Sequence, residues 1–181
     1  MSLQTITDTT KLAGNNHYLG NPHVKKDGVE EDWNPEKVQE YAKCMSDPVH
    51  FAKSHVMIIN LNDGLVPFEL YPYQEDMFKH FRENRFSALL ACRQSGKSIS
   101  SLAFLLWYAM FTPEQTIAIL ANRGATSREM LGRITLMLEN LPFYLQPGCK
   151  TLNKTSIEFS NNSRIIAEST SSSSIRGFSV N

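Results

Sequence analysis

Residues 86–111 read FSALLACRQSGKSISSLAFLLWYAMF, and the rest of the chain is organised around them. Residues 86–92 are a short apolar run of strand length, and residues 99–111 are apolar nearly all round. A strand buried on both faces, followed by a helix packed in a core, has this appearance. Between the two stands Gly96-Lys97-Ser98, with Arg93, Gln94 and Ser95 ahead of it. Each residue type suits a phosphate. Gly96 lets the backbone approach with no Cβ in the way. The loop N–H groups and the start of the helix offer fixed positive partial charge. Lys97 is a point charge for the terminal phosphates of a nucleotide, and Ser98 offers a hydroxyl to Mg²⁺. The full pattern wants a glycine five residues before Gly96, where Ala91 stands. A plain strand–helix turn with a solvated Lys97 competes with this reading. The apolar elements on either side favour a triphosphate site.

Composition sets the outer bounds. A chain of 181 residues, 41% hydrophobic and 20% charged, is expected to be a soluble globular domain, or one and a part. Lys+Arg and Asp+Glu are both 18, so a wholly basic nucleic-acid-binding surface is not indicated, while a local basic patch remains open. Cys44, Cys92 and Cys149 are odd in number and widely spaced. They show neither a disulfide framework nor zinc-ligand spacing, which suits a reducing compartment. Residues 1–11 are polar and Thr-rich, unlike a signal peptide. The longest apolar run, residues 102–111, is about half a membrane span. A cytosolic-type protein is expected.

Residues 1–32 are polar, are interrupted by Gly14, Gly20, Pro22 and Gly28, and are expected to form a flexible arm. Lys25-Lys26 followed by Glu30-Glu31-Asp32 reads as a solvated charge run, and His17 and His23 lack partners at ligand spacing. Residues 33–70 are expected to form a small helical and hairpin subdomain. Asn34-Pro35-Glu36 starts a helix to about residue 45, and Asp47-Pro48 starts a shorter one through residue 54. Residues 56–60 and 65–70 flank the turn signal Asn62-Asp63-Gly64 and predict a hairpin. His50, His55 and His80 read as ordinary surface or helix histidines.

From residue 71 the pattern is that of a nucleotide-binding domain. Residues 74–84 predict a helix with Met77, Phe78 and Phe81 facing the core. Gln74 opens it, and a glutamine amide can donate to and accept from an adenine edge at once. An exposed polar residue in a first helical turn is the alternative. Residues 115–121 predict a strand and residues 126–140 a helix, with Met130, Leu131, Ile134, Met137, Leu138 and Leu141 on one face. Strand–helix–strand–helix implies a parallel sheet covered on both sides, with Arg93 and Asn122-Arg123 at carboxyl strand ends, where ligands bind. Residues 141–148 are a connector, and residues 156–159 and 164–167 predict a second hairpin. A serine-rich loop, 169–174, then leads into Ile175-Arg176-Gly177-Phe178.

These residues, in this order, resemble the N-terminal ATPase domain of the large terminase subunit of T4-like tailed phages, the motor that packages DNA into capsids. Residues 47–51, LYPYQ at 70–74, RQSGKS at 93–98 and a serine-rich loop into Arg176-Gly177 carry the resemblance, which covers residue 47 to the end. It implies a P-loop NTPase, a three-layer α/β fold on a mainly parallel sheet, of which residues 71–181 are the first part. It implies ATP and Mg²⁺ as ligands. Tyr73 and Gln74 fall at the family's adenine site, Lys97 and Ser98 at its phosphate and magnesium ligands. Arg93 falls at an arginine that senses or stabilises the γ-phosphate, a role equally balanced here against a salt bridge to a neighbouring subdomain. Gln94, Ser95 and Gly96 complete the loop. The implied partners are double-stranded DNA, the portal protein, the small terminase subunit and further copies in a ring, in the host cytoplasm and away from membranes. The family's second acidic motif, coupling motif and nuclease domain are not reached before Asn181, and none of Glu129, Glu139, Glu158 or Glu168 reads as a substitute. The expectation is therefore a piece that binds ATP without turning it over. A helicase-like ATPase and a non-catalytic nucleotide-binding remnant are the alternatives.

Overall fold

Two capping side chains set two of the helices of the chain, whose computed structural model describes residues 16–60 and 62–170. Asn34 Oδ1 accepts the Lys37 N–H at 2.8 Å and opens α1 (Pro35–Ser46). Asp47 Oδ1 accepts the Val49 N–H at 2.8 Å and opens α2 (Pro48–His55). Each helix carries proline in its first turn, where the missing N–H has no intrahelical partner to lose. The antiparallel hairpin of β1 (Met57–Asn60) and β2 (Gly64–Pro67) follows, closing at Asn60 opposite Gly64.

Helix α3 (Pro72–Glu83) leads to α4 (Lys97–Phe111), whose Phe104 meets Phe78 edge-on at 5.7 Å and Phe81 at 5.4 Å. Then come β3 (Thr116–Ala121) and α5 (Gly124–Glu139). Leu131, Ile134, Met137, Leu138 and Leu141 are all buried along the face anticipated from their spacing. The chain continues through β4 (Cys149–Leu152), β5 (Ser156–Phe159) and β6 (Arg164–Ser169). Helix α5 packs on β3 and β6, and α4 packs on α5. No described helix is long and apolar enough to cross a membrane.

The fold is mixed α/β, and so is its sheet. The order is β3-β6-β5-β4, with β3 and β6 parallel and the other two pairings antiparallel. A mainly parallel sheet is thus not what the described residues form. The second hairpin is present as β5–β6, and β4, which follows the connector at 141–148 and for which the sequence predicts no element, extends it.

Residues 86–92 differ most from expectation. They form no strand, and Phe86 and Leu90 are 83% and 102% exposed. Strand composition marks a segment that fits a pleated, half-buried surface, but a strand exists only when another backbone completes its ladder. No described strand pairs with this one.

Residues 16–32 differ in the opposite sense. Instead of leaving the body as an arm they dock on it. Val24 is fully buried, and the Gln146 amide accepts from the Lys25 N–H at 3.0 Å while donating to the His23 and Leu141 carbonyls. Lys25 is no solvated charge. It is 6% exposed and sits 3.3 Å from Glu31, which also holds Lys37 at 2.6 Å. Residues 1–15 and 171–181, Arg176-Gly177 among them, lie outside the described residues.

Candidate phosphate-binding site

The loop between residues 92 and 97 is built to reverse the chain in few residues. Gln94 and Gly96 both adopt positive φ, 62° and 73°. Only glycine takes that conformation at no steric expense, so the position of Gly96 is the demanding one. A Cβ there would also lie 2.5 Å from Gln74 Nε2. Glycine suits the position by dihedral, and a larger residue would have to displace the Gln74 amide.

Gly96 is the N-cap of α4, and no side chain caps that helix. No acidic residue lies in its first turn either. The first N–H groups of a helix have no partners within it, and here no side chain supplies one, so a 15-residue helix directs its positive end at the loop. Lys97 begins the helix, and its ammonium turns back to donate to the Cys92 carbonyl at 2.8 Å. Ser95 Oγ donates to the same carbonyl at 3.0 Å. The lysine therefore lies across the loop rather than out in water.

Helix α3 is brought against the other side of this loop. The Tyr73 hydroxyl donates to the Ser95 carbonyl, and Gln74 is only 2% exposed. Its Oε1 accepts the Tyr71 N–H at 2.8 Å, closing the first turn of α3. Gln74 is thus not the exposed residue of the alternative reading. No described residue accepts from its Nε2, which faces Gly96. Tyr71 and Tyr73 stack at 5.8 Å beside it, both exposed.

A cleft of about 840 Å³ opens beside the loop, within the size range of small-molecule sites. Gln94, Gly96, Lys97 and Ser98 line one wall, and Ile58 and Ile59 of β1 contribute to it. The other wall is α5, through Glu129, Arg133 and Leu136. Glu129 and Arg133 form an ion pair at 2.7 Å. Sequence reasoning missed Arg133 here and set Glu129 aside. The available signal was their i,i+4 spacing opposite the apolar face of a helix that follows the loop's own helix. Arg93 is exposed at the loop's entry, and no described acid pairs with it. Asn122 and Arg123 are exposed just beyond the carboxyl end of β3, as anticipated.

The arrangement suits an anion: an uncapped helix start, a lysine at its first residue, and Arg93 exposed at the rim. Residues 88–181 match the family described as Terminase large subunit, T4likevirus-type, N-terminal.

Proposed function

The chain belongs to the T4-like large terminase subunits, within their N-terminal region, and from that premise we propose that it is the ATP-binding part of a DNA-packaging motor. The uncapped start of α4 behind a left-handed Gly96, with Lys97 folded over the loop, is the observation that carries this. In this reading the fold is that of a P-loop NTPase. The β- and γ-phosphates take the place of the Cys92 carbonyl as the partner of Lys97, and the loop N–H groups around Gln94, Ser95 and Gly96 complete the cradle. Ser98 offers its hydroxyl to the Mg²⁺ that travels with the nucleotide. When bound, that Mg²⁺ would supply positive charge that stabilises the phosphate oxygens. Arg93 approaches the γ-phosphate from the rim, and the adenine lies towards Tyr73 and Gln74. In the whole motor, hydrolysis drives double-stranded DNA into a capsid in the host cytoplasm, with the portal protein, the small terminase subunit and further copies of the large subunit as partners.

Calorimetric titration of Mg·ATP into the purified chain tests the reading. Lys97→Ala should weaken binding roughly ten- to a hundredfold, the size of a charge-assisted contact. A folded variant that binds ATP as the parent does removes the phosphate assignment. A phosphate-release assay adds a second expectation. Among the described residues the only carboxylate lining the cleft is Glu129, and Arg133 holds it. The chain alone should then bind ATP and release no phosphate above the Lys97→Ala blank. Sustained turnover would mean that a carboxylate within this chain activates the attacking water.

A further inference from the structure

The junction of α1 and α2 holds a cluster that nucleotide binding does not use. Glu40 and Cys44 are i,i+4 on α1 and so share a face. His50 lies within α2 and His55 ends it. The break at Asp47-Pro48 turns α2 back so that both imidazoles return over that face. A carboxylate oxygen, a sulfur and two imidazole nitrogens from these four residues all lie within 4.8 Å of one another. Glu40 Oε1 is their hub, 2.7 Å from His50 Nε2, 2.9 Å from His55 Nε2 and 3.7 Å from Cys44 Sγ.

A tetrahedral zinc ion bonds nitrogen and oxygen at about 2.0 Å and sulfur at about 2.3 Å, which spaces its ligands about 3.3–3.8 Å apart. The distances from Glu40 Oε1 lie close to that spacing and all four atoms lie within 4.8 Å of one another, so shifts of about an ångström would close them round one ion. We propose that Glu40, Cys44, His50 and His55 are the four ligands of a structural Zn²⁺ site that ties α1 to α2. Hydrogen bonding alone makes one carboxylate oxygen serve three donors and leaves the sulfur with a long contact. A cation serves all four at once. Soft sulfur with two imidazoles selects zinc over magnesium or calcium, and four protein ligands make the closed set of a structural site.

The surroundings agree with this. Cys44 is fully buried, while the side chains of His55, Glu40 and His50 are 13%, 25% and 32% exposed, which leaves an entry from solvent. Without metal, burial and then the Glu40 charge push the Cys44 thiol up to about 12, an inert neutral group. On binding, Cys44 releases its proton to solvent, and each imidazole ligates through Nε2 with its proton on Nδ1. Ser54 Oγ lies 3.5 Å from His50 Nδ1, on the side where that proton is carried. Lys43 Nζ, 3.7 Å from the other Glu40 oxygen and half exposed, is free to swing away. The Trp107 indole donates to the Cys44 carbonyl at 2.7 Å, so the site is also fixed to α4.

The test uses the purified 181-residue chain, stripped with a chelator and titrated with Zn²⁺ against a chromophoric competitor, then with Co²⁺ as a spectroscopic substitute. The expected result is one ion per chain and a thiolate-to-cobalt charge-transfer band. That band should vanish in Cys44→Ser and persist in Cys92→Ser. His50→Gln, at the most exposed ligand, should weaken Zn²⁺ binding by more than about a hundredfold, since even the outer partners of a ligand are worth about ten- to a hundredfold. Should Cys44→Ser unfold, His50→Gln alone decides. Absence of stoichiometric binding, a band that follows Cys92, or unchanged affinity in His50→Gln would each overturn the proposal.

Discussion

Gln74 uses one amide for two purposes, and its substitutions separate them. Its oxygen holds the Tyr71 N–H inside the first turn of α3, while its nitrogen faces Gly96. Gln74→Ala should cost about 1–3 kcal/mol in denaturant unfolding, the penalty of an unpaired, partly buried donor. It should also flatten any preference for ATP over GTP. Gln74→Glu keeps the acceptor and loses the donors, so a variant of near-parent stability with flattened preference assigns the base contact to Nε2. Equal preference in all three proteins would leave Gln74 a purely structural cap. Gly96→Ala should lose about 1–3 kcal/mol for its left-handed backbone and weaken Mg·ATP binding by displacing the Gln74 amide, 2.5 Å from the added Cβ. Unfolding and Mg·ATP titrations of the variant check this. The turn ahead of α4 was legible in the sequence because it is local: six consecutive residues make it. The cluster of Glu40, Cys44, His50 and His55 was not. Each histidine looks ordinary on its own helix, and the spacing lacks the paired cysteines by which zinc sites are usually read. Only the angle between two helices brings the four together.

At the scale of elements, helices were legible nearly to the residue, since capping side chains and apolar faces act within a few turns. Strands were legible where an apolar run was bounded by turn signals, as in β1–β2, β3 and β5–β6. β4 went unread although it pairs with the neighbouring β5, residues 86–92 have no described strand partner, and the docked segment 16–32 depends on contacts far along the chain. That segment is held by a polar core. Glu31 is the carboxylate between Lys25 and Lys37. Burial is the largest influence on its carboxyl and raises it, but the hydrogen bonds and charges of Lys37 and Lys25 together outweigh burial and leave it below the ordinary 4.5. A carboxyl so depressed lends stability that is present in full above that value and is lost as pH falls through the folded one. Stability should therefore drop below about pH 4.5 in the parent, and Glu31→Gln should shallow that decline. At pH 7 the variant should be about 1–3 kcal/mol less stable, short of a fully buried orphaned charge because Lys37 stays partly hydrated. Unfolding curves between pH 3 and 7, with pH as an approximate span around the carboxylate range, measure both effects. An unchanged slope would show that another acid governs the decline. Gly148 belongs to the same contact. A Cβ there would stand 2.8 Å from the Asp27 backbone, so any larger residue would lift the segment off β4.

For the whole molecule, the consequential feature is an open side. Strand β3 is bonded to β6 alone among the described residues, and Leu120 on it is 38% exposed. Leu89 of the unpaired segment reaches the same region, lining a smaller cleft with Ala118 and Ile119. An unpaired edge beside exposed apolar side chains is a template for self-association. Leu90→Lys, at a fully exposed position, should lower association in sedimentation velocity and leave the thermal midpoint unchanged. Undiminished association would move the sticky surface elsewhere. The contact between Trp107 and Cys44 has a different kind of consequence. The chain has two tryptophans, and they differ sharply in exposure, Trp107 at 6% and Trp33 at 46%. With Trp33→Phe the emission comes from a single indole in an apolar surround whose N–H is committed to the backbone of α1. Detachment of α1 from α4 would wet that indole and shift its light to the red, so the protein carries its own optical gauge of whether its two halves remain joined.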